Sequence, residues 1–149
     1  LKEEEGISVD TGLSVEAFNV PHRNELSETV GYKIIGEKKS AIYLPDIDSW
    51  INFENNLRYL IDTNDILFVD GTFYDKDEIV FRDISKIPHP AIKETIKMLS
   101  DLSPADREKI HFIHFNHTND AIRPDSNIYK MILDSGFSIS EENQKFNLD

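Results

Sequence analysis

Runs of β-forming residues alternate with runs of helical spacing along this chain, and four of the β-forming runs end on a residue able to bind a metal ion. "GLSVEAFNV" alternates Leu13, Val15 and Ala17 with polar neighbours, which predicts a strand closing at Pro21. "VGYKII" and "AIYL" flank the turn-forming "GEKKS" and predict a hairpin. In "WINFENNLRYLID", Trp50, Phe53, Leu57, Leu60 and Ile61 recur near helical spacing. "DILFVDGT" is a short apolar run closed by Asp-Gly, the pattern of a buried strand in an α/β layer.

A charged, proline-containing excursion follows, "DKDEIVFRDISKIPHP". Beyond it, "AIKETIKMLSDL" places Ile92, Ile96 and Leu99 on one helical face. Ser103 and Pro104 have the chemistry of an N-cap and a first helical position. "IHFIHF" predicts a strand, "SNIYKMILDSG" a helix closed by Gly136, and "FSIS" a last strand. Hairpins first and alternating α and β elements afterwards predict one compact α/β unit over residues 1–149.

Hydrophobic residues make up 39% and charged residues 30%, the balance of a globular chain. The absence of cysteine excludes disulfides and thiolate metal sites, so a metal here must use His, Asp or Glu. The formal charge of −12 repels phosphate backbones, which leaves no nucleic-acid partner expected. No apolar run has the length to span a bilayer, so no membrane partner is expected either. The opening "LKEEEGISVD" lacks the charge and apolar core of a signal peptide, and it does not start with Met. These features leave the compartment open, with the cytoplasm as the favoured expectation.

The four strand ends carry His22 in "FNVPHRNE", Asp46 and Asp48 in "AIYLPDID", Asp70 in "LFVDGTF", and His114 or His117 in "FIHFNH". Open α/β sheets build their sites at such carboxyl ends. Histidine with carboxylate, and no cysteine, suits a catalytic metal that keeps a position for water. Each residue also has a plain structural reading: a loop histidine at His22, helix-capping aspartates at Asp46 and Asp48, and a turn pair at Asp70-Gly71. "HFIHFNH" repeats histidine every third residue, but side chains alternate on a strand. His111 and His114 therefore face opposite ways, and the stretch cannot form a three-histidine site alone.

Taken in order, "VEAFNVPHRNELSETVGYKI", "SAIYLPDIDSW", "DILFVDGTFYD" and "FIHFNHTND" resemble the C-terminal half of the metallo-β-lactamase-fold superfamily. The resemblance spans roughly residues 13–137 and is nearest to the branch that contains the pyrroloquinoline quinone biosynthesis protein B. It implies half of an αββα sandwich, a mixed β-sheet with helices on one face. It further implies that His22 and His114 each bind a metal and that Asp46, rather than Asp48, bridges two. His89 in "PHPAIKE" falls near a family proton donor, which makes it the catalytic candidate. His117 and Asn119 would line the mouth or brace the ligands.

The chain departs from the family in one respect. The principal H-x-H-x-D-H ligand motif is absent from its five histidines. The expectation is therefore a C-terminal half whose partner layer, the N-terminal half of the same domain, lies elsewhere. The implied cofactor is a divalent metal, two zinc ions in the first instance, with iron or manganese as alternatives. The implied activity, available only together with that N-terminal half, is hydrolysis of an ester, lactone or phosphodiester of a small organic substrate. An iron-dependent oxidation of a tyrosine-derived precursor is the second reading, and a metal-free scaffold module the third. Self-association of the exposed sheet into a homo-oligomer is a further expectation.

Overall fold

The computed structural model describes residues 6–22, 28–78 and 88–149. Among the described residues, seven strands pair in strict chain order: β1 (Ile7–Asp10), β2 (Leu13–Asn19), β3 (Val30–Ile35), β4 (Ser40–Leu44), β5 (Ile66–Asp70), β6 (Ile110–Ile113) and β7 (Ser138–Ile139). The β1–β4 pairings are antiparallel, and those from β4 to β7 are parallel. Parallel neighbours need crossovers, and helices supply them. Helix α1 (Glu54–Thr63) joins β4 to β5, α2 (Ile92–Met98) and α3 (Pro104–Glu108) lie between β5 and β6, and α4 (Asn127–Asp134) joins β6 to β7.

These crossovers all step the same way across the sheet. Right-handed connections in one direction place every helix on the same face, as the resemblance implied. That face is built by Ile42, Leu44, Leu67, Val69, Ile110 and Phe112, which form one buried cluster with Leu57, Ile61, Ile92 and Ile132 of the helices.

The opposite face carries the cross-strand row Tyr32, Tyr43, Phe68 and His111. Its cover is thinner. Phe146 sets its ring edge-on to Phe68 and His111, at 4.9 and 5.0 Å between centroids. The Leu148 carbonyl accepts hydrogen bonds from the Lys38 and Lys39 amides, both at 3.1 Å. The tail thus crosses from β7 back to the β3–β4 hairpin. Tyr43 stays 41% exposed, so part of this face has no covering side chain among the described residues.

His111 lies within that aromatic group with Nδ1 buried and unpartnered. Burial holds its pKa below the ordinary imidazole value. Below pH ~6.5 the unfolded chain takes up a proton that the folded ring resists, so stability falls with falling pH. His111→Phe removes this penalty while keeping the ring contacts. Its urea midpoint should gain on the wild type as pH is lowered from 7.5 to 5, and a constant difference would contradict the assignment.

Three boundaries differ from the sequence expectation. Helix α1 starts at Glu54 rather than near Trp50, because Asn52 adopts φ 66° and makes Trp50–Phe53 a turn. Strand β6 stops at Ile113, because His114 turns out of the ladder with φ 61°. Strand β1 was not anticipated at all; its four residues are exposed on the sheet edge, where no apolar alternation is needed. Most of the charged excursion, residues 79–87, lies outside the described residues.

Gly71 fixes the spacing of β5 and β6 where they end. Its amide donates to the Ile113 carbonyl at 2.8 Å, and an added Cβ would lie 2.8 Å from that same oxygen and 3.0 Å from Phe112 Cβ. Backbone and a neighbouring Cβ cannot swing aside as a long side chain can. Gly71→Ala should therefore lower unfolding free energy by about 1–3 kcal/mol, read from denaturant midpoints at constant slope.

Candidate metal centre

Strands β2, β4, β5 and β6 run in the same direction, since β2 and β4 are both antiparallel to β3. Their carboxyl ends therefore share one edge of the sheet. Pro45 ends β4 and leads into Asp46, Ile47 and Asp48; Ile47 is fully buried and anchors that loop in the core. The Asp48 amide donates to the Pro21 carbonyl at 3.0 Å, which ties the loop after β2, and His22, to the loop after β4. Asp70 is the last residue of β5, and His114 follows β6 directly.

Asp46, Asp70, His89 and His114 each bring a ligand-type atom to one point, all within 4.8 Å of one another. His22 stands beside this group, its Nε2 3.6 Å from Asp46 Oδ2, and its Nδ1 makes a short hydrogen bond to Asp48 Oδ1. The structure thus draws together Asp46, His89 and His114 and places His22 at their side. Asp48 orients His22. Asp70, one of the four strand-end candidates but not one of the ligands the resemblance implied, joins the group.

The two carboxylates of the group differ in what their oxygens already do. A carboxylate has about four lone-pair directions. Asp70, fully buried, uses four: Oδ1 accepts from the Thr72 amide at 2.9 Å and the Thr72 hydroxyl at 2.7 Å. Its Oδ2 accepts from the Ile47 amide at 3.2 Å and from His89 Nδ1 at 2.7 Å. Asp46 is the opposite case. Its Oδ1 is buried and has no hydrogen-bond partner among the described residues. A buried polar atom without a partner calls for an explanation, and a cation among these donors supplies one. Asp70 has no capacity left for that task.

Proton positions follow from the same accounting. The Thr72 hydroxyl has one proton, given to Asp70 Oδ1, so toward His114 Nδ1 at 3.1 Å it accepts. His114 then bears its proton on Nδ1 and leaves Nε2 free as a ligand. His89 likewise gives its Nδ1 proton to Asp70. Burial works against a charged His89 ring, but the hydrogen bond to Asp70 and the charges of Asp70, Asp46 and Asp48 outweigh it. The pKa of His89 is raised.

Further polar contacts hold this edge in place. Asn119, buried, donates from Nδ2 to the Gly71 and Thr72 carbonyls at 2.9 and 3.3 Å and accepts from the Ala121 amide at 2.9 Å. It braces the loop after β5 rather than a candidate ligand itself. His117 is exposed and makes no contact of that kind. Sequence reasoning did not give Thr72 a role; its place two residues past a strand-end carboxylate is the one signal it offered.

A family model described as "Beta-lactamase superfamily domain" matches residues 1–115. The chain is 23% identical over 155 residues to coenzyme PQQ synthesis protein B of Gluconobacter oxydans, covering 95% of this chain and 50% of that protein. It is 25% identical over 132 residues to the protein of the same name from Methylococcus capsulatus, covering 80% and 41%. Among solved structures, Zn(2+)-bound PqqB from Methylobacterium extorquens superposes with a TM-score of 0.78 at 22% identity, covering 99% of this chain and 55% of that one. The metallo-β-lactamase fold protein YhfI from Bacillus subtilis superposes with a TM-score of 0.50 at 11% identity, covering 94% and 50%. The chain spans about half the length of these proteins or less.

Proposed function

This chain belongs to the beta-lactamase superfamily domain family, and on that footing we propose that it carries part of the centre of a metal-dependent hydrolase acting on a small ester, lactone or phosphodiester. The observation that supports this most directly is the unpartnered, buried Asp46 Oδ1 within a group of two carboxylates and two imidazoles. His22, Asp46 and His114 would hold the metal. The donor set is nitrogen and oxygen alone, which suits zinc, iron or manganese. A bound divalent cation would supply Lewis acidity and a water of lowered pKa.

The chain's own residues do the rest. Asp70 holds His89 by Nδ1, so Nε2 is the nitrogen that meets the substrate. The raised pKa favours a proton on that nitrogen, where it can be given to a departing oxygen. Thr72 sets the His114 ring, and Asp48 sets the His22 ring.

A second reading, iron-dependent oxidation of a tyrosine-derived precursor, has its support in the likeness to proteins named for PQQ synthesis. Metal exchange separates the two. Chelated protein, assembled with the layer that completes the ligand set, is reloaded with Zn(II) or Fe(II) and assayed on 4-nitrophenyl acetate and bis(4-nitrophenyl) phosphate. Turnover restored by zinc and lost in Asp46→Ala supports hydrolysis. Dependence on iron alone, with oxygen consumed, supports the oxidative reading instead.

The thinly covered face around Tyr32 and Tyr43, with a length about half that of the relatives, supports a second layer packing there and completing the ligand set. A second copy of the chain is the alternative occupant of that face.

A further inference from the structure

A cleft of about 830 Å³ opens beside the metal centre, with His89 in its wall. This lies within the roughly 300–1,000 Å³ of small-molecule sites. Its apolar lining comes from Trp50, Ile51, Pro88, Pro90 and Met98. Trp50 is buried, with its indole N–H donated to Thr95 Oγ1 at 2.8 Å, so it offers the cleft a ring surface and no free donor. Ile51, by contrast, is 76% exposed, and the left-handed Asn52 beside it shapes the turn that presents it. An isoleucine held out on a constrained turn at the edge of a cleft is a surface waiting for an apolar group.

The charged residues of the lining are all compensated. Lys76 Nζ is 2.6 Å from Glu94, Glu54 is 3.1 Å from Arg58 Nε, and Asp48 is bonded to His22. The His89 ring is matched by Asp70 at 2.7 Å, so among the described residues no charge in the wall is left over to pair with a charged ligand. An ionic group drawn into this cleft would lose hydration and gain no partner, which is unfavourable.

We propose that this cleft binds the leaving group of the substrate, and that the group it takes is an uncharged aromatic or alkyl alcohol. The inference rests on the hydrolytic reading for the leaving-group role. His89 belongs to both the metal-side group and the cleft wall, so the oxygen it protonates belongs to the part of the substrate in the cleft. The balance is that of simple hydrolysis. The C–O or P–O bond breaks, water provides the new oxygen on the acyl or phosphoryl centre, the His89 proton goes to the departing oxygen, and the proton from water restores His89.

Trp50 is the single tryptophan of the chain, so its fluorescence reports on the cleft. Titration with 2-phenylethanol and with phenylacetate compares a neutral and an anionic group on one skeleton. The alcohol should bind at least about tenfold more tightly. Ile51→Asp should weaken the alcohol, and Glu94→Gln, which frees Lys76, should improve phenylacetate severalfold; both positions are exposed, so the fold is spared. Equal binding of the two probes, or a Glu94→Gln protein with unchanged preference, overturns the proposal. Asp46→Ala protein should keep the alcohol preference after losing zinc. A wild type that takes up none of zinc, iron and manganese overturns the hydrolytic reading, and the leaving-group role with it, while leaving the selectivity of the cleft intact.

Discussion

Asp70→Ala should destabilise the protein by about 3–5 kcal/mol, the range for removing one partner of a buried charged pair. The side chain is fully buried and satisfies the Ile47 and Thr72 amides, the Thr72 hydroxyl and His89 at once. Alanine leaves two buried amides with no acceptor and the imidazole with no counter-charge, and each unpaired group costs free energy. Asp70→Asn is the instructive companion. It retains one acceptor oxygen but turns an NH2 group toward donors already pointing at that place.

The Asn variant also separates charge from packing. Without the Asp70 charge, the largest influence left on His89 is burial, so its pKa falls from the raised wild-type value. A folded-state pKa above the unfolded one stabilises the protein fully below pH ~6.5, and that contribution is lost as pH rises through the folded value. The cost of Asp70→Asn in chelated protein should therefore be larger at pH 6 than at pH 9. Urea unfolding at both pH values, with NMR titration of the His89 ring, reads the effect. A cost independent of pH would mean that the pair is not charged.

Much of this edge is visible in the sequence, because strands that end in loops announce themselves locally. Val30–Ile35, Ile66–Asp70 and Ile110–Ile113 are β-branched and aromatic runs bounded by polar or turn residues, and the sheet uses them where the runs lie. Local pattern misled where a special backbone angle intervened. Trp50 and Phe53 have helical spacing with Leu57, but Asn52 at φ 66° keeps them out of the helix.

The role of Asp70 was hidden for a different reason. Asp-Gly after an apolar run is the local signature of a turn, and that description is accurate as far as it goes. What distinguishes this aspartate is its partners Ile47 and His89, which are 23 and 19 residues away in sequence. No local window contains them. The recurrence of polar residues at parallel strand ends showed which edge would carry chemistry, while the division between ligand and orienting group needed the donors counted in three dimensions.

That division yields the sharpest contrast between two neighbouring aspartates. In chelated protein, Asp46→Ala should unfold at the same urea concentration as wild type or a higher one. Asp46 Oδ1 has no hydrogen bond to lose, and the nearest imidazoles to this carboxylate, His22 and His89, stand at 3.6 Å. Removing it also relieves repulsion among carboxylates that share His22 and His89 as neighbours. With zinc present the order should reverse. Wild type gains RT ln(1 + [Zn]/Kd), about 2.7 kcal/mol at a hundredfold excess over Kd. The variant should gain little, because the loss of even an outer partner costs roughly 10–100-fold in metal affinity and a ligand costs more. Isothermal titration with zinc, paired with urea unfolding in chelator and in zinc, measures both halves. Zinc stabilisation that survives in Asp46→Ala would place the metal elsewhere. A chelated variant far less stable than wild type would make Asp46 a structural residue. The expected pairing of neutral or improved stability without metal and lost stabilisation with it is what a carboxylate kept for a ligand, at some cost to the empty fold, must show.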